Sequence, residues 1–130
     1  EVNIIRVSDY IDLPSNGLIT NAQTVAENPE LVQRMTNALL AGIRYTLANP
    51  DEAFALSLQA VPEAGGANEA ANRAIFDASL ALWQVADDEL GRSDPAAWQE
   101  AAQFMREMGL IEVDVPVDAL FTNQFVDAAP

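Results

Sequence analysis

The chain has 130 residues, of which 50% are hydrophobic and 20% are charged, so it has enough material for one globular domain with its own core. Acidic residues number 20 against 6 basic ones, giving a formal net charge of −14 that disfavours binding to nucleic acids and anionic membranes. Cysteine and histidine are both absent, which excludes disulfides, thiol nucleophiles, imidazole bases and the usual zinc ligands.

The chain opens with β-branched residues from Glu1 to Val7, and these predict a strand buried on both faces whose partner strands lie elsewhere. Turn-forming residues follow from Ser8 to Asn21, where Pro14 fixes its own φ and Gly17 is free to adopt positive φ. We expect a crossover or hinge here. Leu18-Ile19-Thr20 is a second short extended candidate.

Capping signals predict the first two helices. Asn28-Pro29-Glu30 and Asn49-Pro50-Asp51 each place a capping side chain before a proline and an acidic residue. The first signal begins a long amphipathic helix, from about Pro29 to Leu47, and the second begins a shorter helix that Pro62 ends. The apolar stripe of the long helix consists of Leu31, Met35, Leu39, Ile43 and Leu47.

Two further helices and a short turn are predicted in the second half of the chain. A third helix, from about Asn68 to Val85, has a stripe that we expect to be buried: Ala71, Ile75, Ala78, Leu82 and Val85. Asp94-Pro95 starts a fourth helix, which Gly109 ends as a left-handed cap. A turn of helix is predicted from Asp118 to Phe121.

Two pairs of carboxylates are candidates for catalytic groups. Asp9/Asp12 and Asp87/Asp88 lack an accompanying nucleophile, His or Lys, so acid–base catalysis is disfavoured at both. Turn capping is the favoured role for Asp9 and Asp12, with ligand hydrogen bonding second, and Asp87 and Asp88 are interpreted as a solvated helix end. The oxygen-ligand spacing of a calcium loop is missing, so no metal is predicted.

Glycines and aromatic residues offer the other candidates. Gly65-Gly66-Ala67-Asn68 could cradle an anion before a helix, but it lacks the residues of a phosphate loop, so a flexible corner is favoured. Trp83 and Trp98 are expected in the core. Tyr10 lies in the hinge beside two acids, and the sequence leaves it evenly divided between the core and the wall of a ligand site.

These segments together resemble the C-terminal portion of periplasmic substrate-binding proteins of the thiamine-pyrimidine, riboflavin and sulfonate type. The resemblance covers nearly the whole chain, through VSDYIDLPSNGLITN, NPELVQRMTNALLAGIRYTLANPDEAFAL, SDPAAWQEAAQFMREMGLI and VDALFTNQFV. The helix pair with its Asn-Pro corner is the most specific part.

The resemblance implies an α/β fold of periplasmic-binding-protein type II, a venus flytrap whose two lobes close on ligand by hinge bending. Residues 1–21 would be the end of the second lobe and the interlobe hinge crossover. Residues 22–130 would be the helical C-terminal part of the first lobe. The N-terminal portion of the protein would lie upstream, and the stripe of the long helix would stay partly exposed without it.

The function that the resemblance implies is the solute-binding component of an ABC importer. It would bind a small heterocycle, such as a thiamine pyrimidine precursor, and work with a permease in the periplasm or outside the cell, with any lipid anchor upstream. Tyr10, Asp9 and Asn16 are the ligand-binding candidates, and no catalytic residue or cofactor is expected. The alternatives are riboflavin or sulfonate binding, a ligand-free helical interaction module, and a pyrimidine-precursor synthase, which by resemblance needs His and Cys groups.

Overall fold

The computed structural model describes residues 3–11, 13–14, 16–86, 88–112 and 115–129. The chain divides into two compact units, which we name the terminal unit (residues 1–29 and 91–129) and the central unit (residues 30–90). The α-helices of the described residues are α1 (Ala22–Glu27), α2 (Pro29–Ala48), α3 (Pro50–Ala60), α4 (Glu69–Trp83), α5 (Pro95–Glu107) and α6 (Gln124–Asp127). No helix among them is long and apolar enough to cross a bilayer.

The predicted strand at the start of the chain is absent from the described residues, which contain helices and turns only. Residues 3–6 lack regular structure, and Val7–Asp9 forms a 3-10 turn. A strand requires a neighbour for its backbone hydrogen bonds, and no other described segment of this chain is extended beside it. Its β-branched side chains are consequently exposed, with Ile4 at 80% and Ile5 at 78%. The second extended candidate, residues 18–20, also lacks regular structure.

Helices α2 and α3 confirm the two proline start signals, because they begin at Pro29 and Pro50. The side chain of Asn49 was predicted to cap the start of α3, and it makes no such hydrogen bond. Its Nδ2 donates to the carbonyl oxygen of Tyr45 at 3.1 Å, so the side chain closes the end of α2, while its backbone carbonyl accepts the first hydrogen bond of α3 from the amide of Ala53 at 2.9 Å. One residue therefore serves both helices of the corner.

The stripe predicted to be buried on α4 is exposed. Ile75 and Leu82 are 63% and 81% accessible, and Ala71 and Ala78 are exposed beside them. Trp83, at the end of the helix, is exposed as well. The periodicity located the helix correctly, but α4 is apolar on two opposite sides, and this stripe is not the side that packs within the central unit.

The side of α4 that packs in the central unit meets α3 and the turn after it. The rings of Phe76 and Phe54 lie 5.3 Å apart between centroids, and Asn72 Nδ2 donates to the carbonyl oxygen of Ala64 at 2.8 Å. The most buried residues of this unit are Leu40, Thr36, Ala53, Phe54 and Leu90.

The apolar stripe of α2 behaves as expected for a partly uncovered face. Leu31, Met35 and Leu39 are exposed. Ile43 and Leu47 are half-buried.

The terminal unit is organised around α5. Asp94 Oδ1 accepts from the amide of Ala96 at 2.8 Å, and Gly109 has a φ of 69°, which confirms both predicted ends of this helix. Trp98, half-buried, stacks on Phe121 with 5.7 Å between ring centroids and an interplanar angle of 13°. The predicted helical turn near Asp118 is present as a 3-10 turn, Val117–Ala119.

Helix α1 has no counterpart among the helices predicted from the sequence. Its start is capped by Asn21, whose Oδ1 accepts from the amide of Thr24 at 2.7 Å. The segment from Ser8 to Asn21 thus ends in a helix N-cap.

Candidate functional site

The stretch that carries the candidate ligand-binding residues begins with a tight turn. The amide of Asp9 donates to the carbonyl oxygen of Arg6 at 3.1 Å, and the amides of Tyr10 and Ile11 both donate to the carbonyl oxygen of Val7. These backbone bonds fix the main chain without using the side chains of Asp9 and Tyr10. Both side chains are therefore presented outward from one turn.

Exposure separates the two interpretations of Tyr10. Its side chain is 77% accessible, so it is not a core residue of the terminal unit as described. Asp9 is exposed next to it, and Asn16 is exposed in a bend further along. The described hydrogen bonds do not join Asn16 to the other two residues. Asp12, the predicted companion of Asp9, lies outside the described residues, as does Asp87 of the second carboxylate pair.

Gly17 does not adopt the positive φ that a glycine permits. The described glycines with positive φ are Gly66, Gly91 and Gly109. A Cβ added to Gly17 would meet no atom within 4 Å. The backbone of this conformation therefore places no demand for glycine at position 17.

Among the described residues, a cavity within each unit is lined by residues other than the three candidates. The first, of about 290 Å³, is lined by Ala102, Arg106, Ile111, Glu112, Val115 and Leu120 in the terminal unit. The second is an open depression of about 420 Å³ in the central unit, lined by Phe54, Gly66, Glu69, Ala70 and Arg73. Sequence reasoning identified neither, because both are assembled from residues on different elements.

The glycine-rich corner before α4 forms one wall of the second depression. Two 3-10 turns, Pro62–Ala64 and Gly66–Asn68, order this corner, so the flexible corner favoured from the sequence is a structured one. The nearby cation, Arg73, is already bound to Asp51 at 2.7 Å and to Asp77 at 2.9 Å. Glu69 adds a further acidic group, so this wall does not favour an anion.

Arg73 is instead a structural group. Its guanidinium lies 5.4 Å from the centroid of Phe54 and 5.9 Å from that of Phe76, beside its two carboxylate partners. Hydrogen bonds to Asp51 and Asp77 raise the pKa of Arg73 above its ordinary value. The residue joins α3 to α4.

A second polar contact links α2 to α3. A hydrogen bond to Glu52 raises the pKa of the Tyr45 phenol above its ordinary value of 10.0, with burial and the charge of Glu52 acting in the same direction. Tyr45 is 42% exposed and lies beside the Asn49 corner. The shift has a structural cause and marks no reacting group.

The exposed side chains of the Tyr10 turn and of Asn16 carry groups that can bind a ligand. Within the described ranges, no group of three or more acidic side chains comes together in a way that could hold a metal ion. The outward aromatic ring of Tyr10 and the polar side chains of Asp9 and Asn16 can stack on and hydrogen-bond to a planar polar molecule.

Comparisons with known proteins find one family and two relatives. The family described as NMT1/THI5 like matches residues 1–53, which include the three candidate residues. The riboflavin-binding protein RibY of Chloroflexus aurantiacus is 42% identical over 129 residues, covering 97% of this chain and 37% of RibY. The 4-amino-5-hydroxymethyl-2-methylpyrimidine phosphate synthase of Aspergillus parasiticus is 27% identical over 131 residues, covering 97% of this chain and 36% of the synthase. No solved structure matches the chain.

These matches define the class first: the chain is similar to ligand-binding proteins. More narrowly, they confirm the resemblance to substrate-binding proteins of the NMT1/THI5-like type. The chain spans little more than a third of the length of the relatives named above.

Proposed function

We propose that this chain is the C-terminal part of the solute-binding component of an ABC importer, which takes a small uncharged heterocycle into a cleft between two lobes. Riboflavin is the first ligand to test, ahead of a thiamine pyrimidine precursor. The observation that carries the proposal is the 42% identity with a riboflavin-binding protein over nearly the whole chain. The proposal includes an N-terminal portion upstream, a permease partner and a periplasmic or extracellular location.

The chemistry of the Tyr10 turn supports a planar ligand. Tyr10 is 77% accessible, and backbone hydrogen bonds fix the main chain of the turn from which its ring projects. An aromatic ring that stacks on a heterocycle gains dispersion energy and removes apolar surface from water on both partners. Asp9 and Asn16 supply acceptors and donors for the polar edge of such a ligand.

Charge supports a neutral ligand over an anionic one. The chain carries a formal charge of −14 and no lysine. Arg73 is held by two carboxylates. Phosphate and sulfonate groups are usually bound by arginine or by helix N-termini, and the six arginines of this chain are outnumbered by 20 acidic residues, so the net field disfavours anions. We therefore expect riboflavin to bind at least about tenfold more tightly than its phosphate ester, a difference of about 1.4 kcal/mol.

Equilibrium titration of the full-length protein tests the proposal. Quenching of flavin fluorescence reports riboflavin binding, and calorimetry covers the pyrimidine precursor, thiamine, the flavin phosphate and taurine. Saturable binding of riboflavin or the pyrimidine, with the ligand recovered unchanged, supports the proposal. Binding of none of these compounds would favour a ligand-free helical interaction module, and preference for taurine would favour a sulfonate carrier.

A pyrimidine-precursor synthase is the second candidate, because a protein of that name is 27% identical over the same span. By resemblance such an enzyme needs His and Cys groups, and these 130 residues contain neither. Mass spectrometry after incubation of the full-length protein with candidate precursors separates the two. Formation of a phosphorylated pyrimidine would replace the binding proposal with the enzyme.

A further inference from the structure

Helix α4 has two apolar sides, and only one has a partner among the described residues of the central unit. One side carries Phe76, whose ring packs at 5.3 Å from Phe54, together with Arg73. The other side carries Ala71, Ile75, Ala78 and Leu82, which we name the outer stripe. These four residues fall within about 60° of one another around the helix, opposite the packed side.

The outer stripe has the composition of a packing surface. Its spacing of four, three and four residues keeps it on one line along the helix, and none of its members is charged. The charged residues of α4 are Glu69, Arg73 and Asp77, which lie off the stripe. Large side chains alternate with alanines, so Ile75 and Leu82 project while Ala71 and Ala78 leave room for side chains of a facing layer.

Exposure of this stripe to water is unfavourable. Ile75 is 63% accessible and Leu82 is 81% accessible, and full burial of each side chain is worth about 1.5–3 kcal/mol. In the same unit, Leu31, Met35 and Leu39 of α2 are also exposed. A covering layer over these faces would add to the stability of the domain.

Two partners could cover the outer stripe: another part of the same polypeptide, or a second copy of the chain. The length of RibY favours the first. The aligned stretch covers only 37% of RibY, so most of that relative lies outside it. A second copy of the chain is a poor occupant, because two alanines and two aliphatic side chains offer far less than the roughly 800 Å² per partner of a stable interface. Two copies, each with a formal charge of −14, would also repel one another.

We propose that the outer stripe of α4 is an internal packing surface of a longer protein. The covering layer is apolar and comes from the part of the same polypeptide that corresponds to the unaligned portion of RibY, with bulky side chains over Ala71 and Ala78. This inference rests on the longer chain included in the proposed function. It places α4 between α3 and the covering layer, and not at the surface of the protein.

Cysteine labelling of the full-length protein tests the inference. Because these 130 residues contain no cysteine, each variant introduces a single reactive thiol into them. Any cysteine elsewhere is replaced by serine. Ala78→Cys and Leu82→Cys probe the stripe, and Gln59→Cys on an exposed position of α3 is the matched control. We expect the two stripe positions to react with a maleimide at least about tenfold more slowly than the control under native conditions, and equally fast in urea. Equal native rates at all three positions, in variants with native circular dichroism, would overturn the inference.

A second pair of variants tests the same surface by thermal stability, so that the inference does not depend on the cysteine variants alone. Ala78→Trp should lower the melting temperature of the full-length protein by several degrees through overpacking, whereas Gln59→Trp should leave it within about 2 °C. Protection that disappears on dilution, with a dimer in sedimentation, would overturn the inference by showing that a second copy covers the stripe. Riboflavin titration of the same preparations keeps the two proposals separate: protection without ligand binding removes the proposed ligand alone, and binding without protection removes this inference alone.

Discussion

The side-chain amide of Asn123 pairs with both backbone groups of Ser93. Nδ2 of Asn123 donates to the carbonyl oxygen of Ser93 at 2.9 Å, and Oδ1 accepts from the amide of Ser93 at 2.8 Å. Arg92 and Asp127 form an ion pair beside it. The two bonds attach the segment before α6 to the start of α5, 30 residues earlier in the chain.

Asn123→Ala should destabilise the terminal unit by about 1–3 kcal/mol, because it removes two hydrogen bonds and leaves the half-buried groups of Ser93 without partners. The amide of Ser93 should also lose protection from hydrogen exchange. Urea unfolding and exchange measured by NMR check the two effects. Thr122→Ala is the control, since the bond described for its hydroxyl is a long one, accepted from the amide of Gln124 at 3.3 Å. An Asn123→Ala variant with unchanged exchange at Ser93 would contradict the pairing.

Arg73 should stabilise the central unit more through its stack than through its ion pairs. Asp51 is 88% exposed, and pairs of this kind contribute little in water. We expect Asp51→Asn to lower the melting temperature by no more than about 2 °C, with the difference vanishing in high salt. Arg73→Ala should lower it by several degrees, and Arg73→Met, which keeps much of the contact with Phe54 and Phe76, should recover most of the loss. An Arg73→Met variant as unstable as Arg73→Ala would show that the ion pairs provide most of the stabilisation.

The starts of α2, α3 and α5 could be predicted from the sequence because their proline signals are local, whereas the start of α1, where no proline follows the Asn21 cap, was not predicted. Pro29, Pro50 and Pro95 each begin a helix, and Gly109 ends α5, as a few neighbouring residues dictate. The pairing of Asn123 with Ser93 could not be predicted, since no pattern joins residues that far apart.

Burial was harder to predict than helix position. Periodicity places Ile75 and Leu82 on one side of α4, but it carries no information about which apolar side has a partner. The strand predicted at the start of the chain failed for a related reason, because β-branched residues favour an extended backbone only when another strand is available. The candidate residues Asp9, Tyr10 and Asn16 were chosen from turn chemistry and family resemblance, and their ligand role stays a prediction.

Leu40 is the most buried large side chain described on α2, at 2% accessibility, and Leu39 next to it is 41% accessible. Leu40→Ala should therefore cost about 2–5 kcal/mol in unfolding free energy. Leu39→Ala should cost less than about 1 kcal/mol in the 130-residue chain, because part of its side chain is already in water. Chemical denaturation of both variants makes the comparison. Equal losses would place the core of the central unit elsewhere on α2.

The phenol of Tyr45 should titrate above pH 10.0, since its hydrogen bond to Glu52, its burial and the charge of Glu52 all favour the protonated form, which raises its pKa. The raised pKa belongs to the folded state, so the stabilisation is fully present below the unfolded value and is lost as the pH rises through the folded one. Absorbance titration at alkaline pH in a Tyr10→Phe background isolates this residue. Glu52→Gln should lower the midpoint toward 10.0, and an unchanged midpoint would remove Glu52 as the cause.

Tyr10 is the residue on which the ligand proposal can be tested most directly. The residue is 77% accessible and lies on a turn closed by backbone hydrogen bonds to Val7, so replacing its ring should leave that turn intact. If the ring stacks on the ligand, Tyr10→Ala in the full-length protein should weaken riboflavin binding by about tenfold or more, and Tyr10→Phe should bind within about threefold of the natural protein. Flavin fluorescence titration gives both affinities, and thermal melts show whether each variant is folded. Unchanged affinity in a folded Tyr10→Ala variant would remove the ring from the ligand site. A lowered melting temperature in that same variant would then show that the ring packs against another part of the longer protein, because an aromatic side chain stabilises a fold only where a partner covers it.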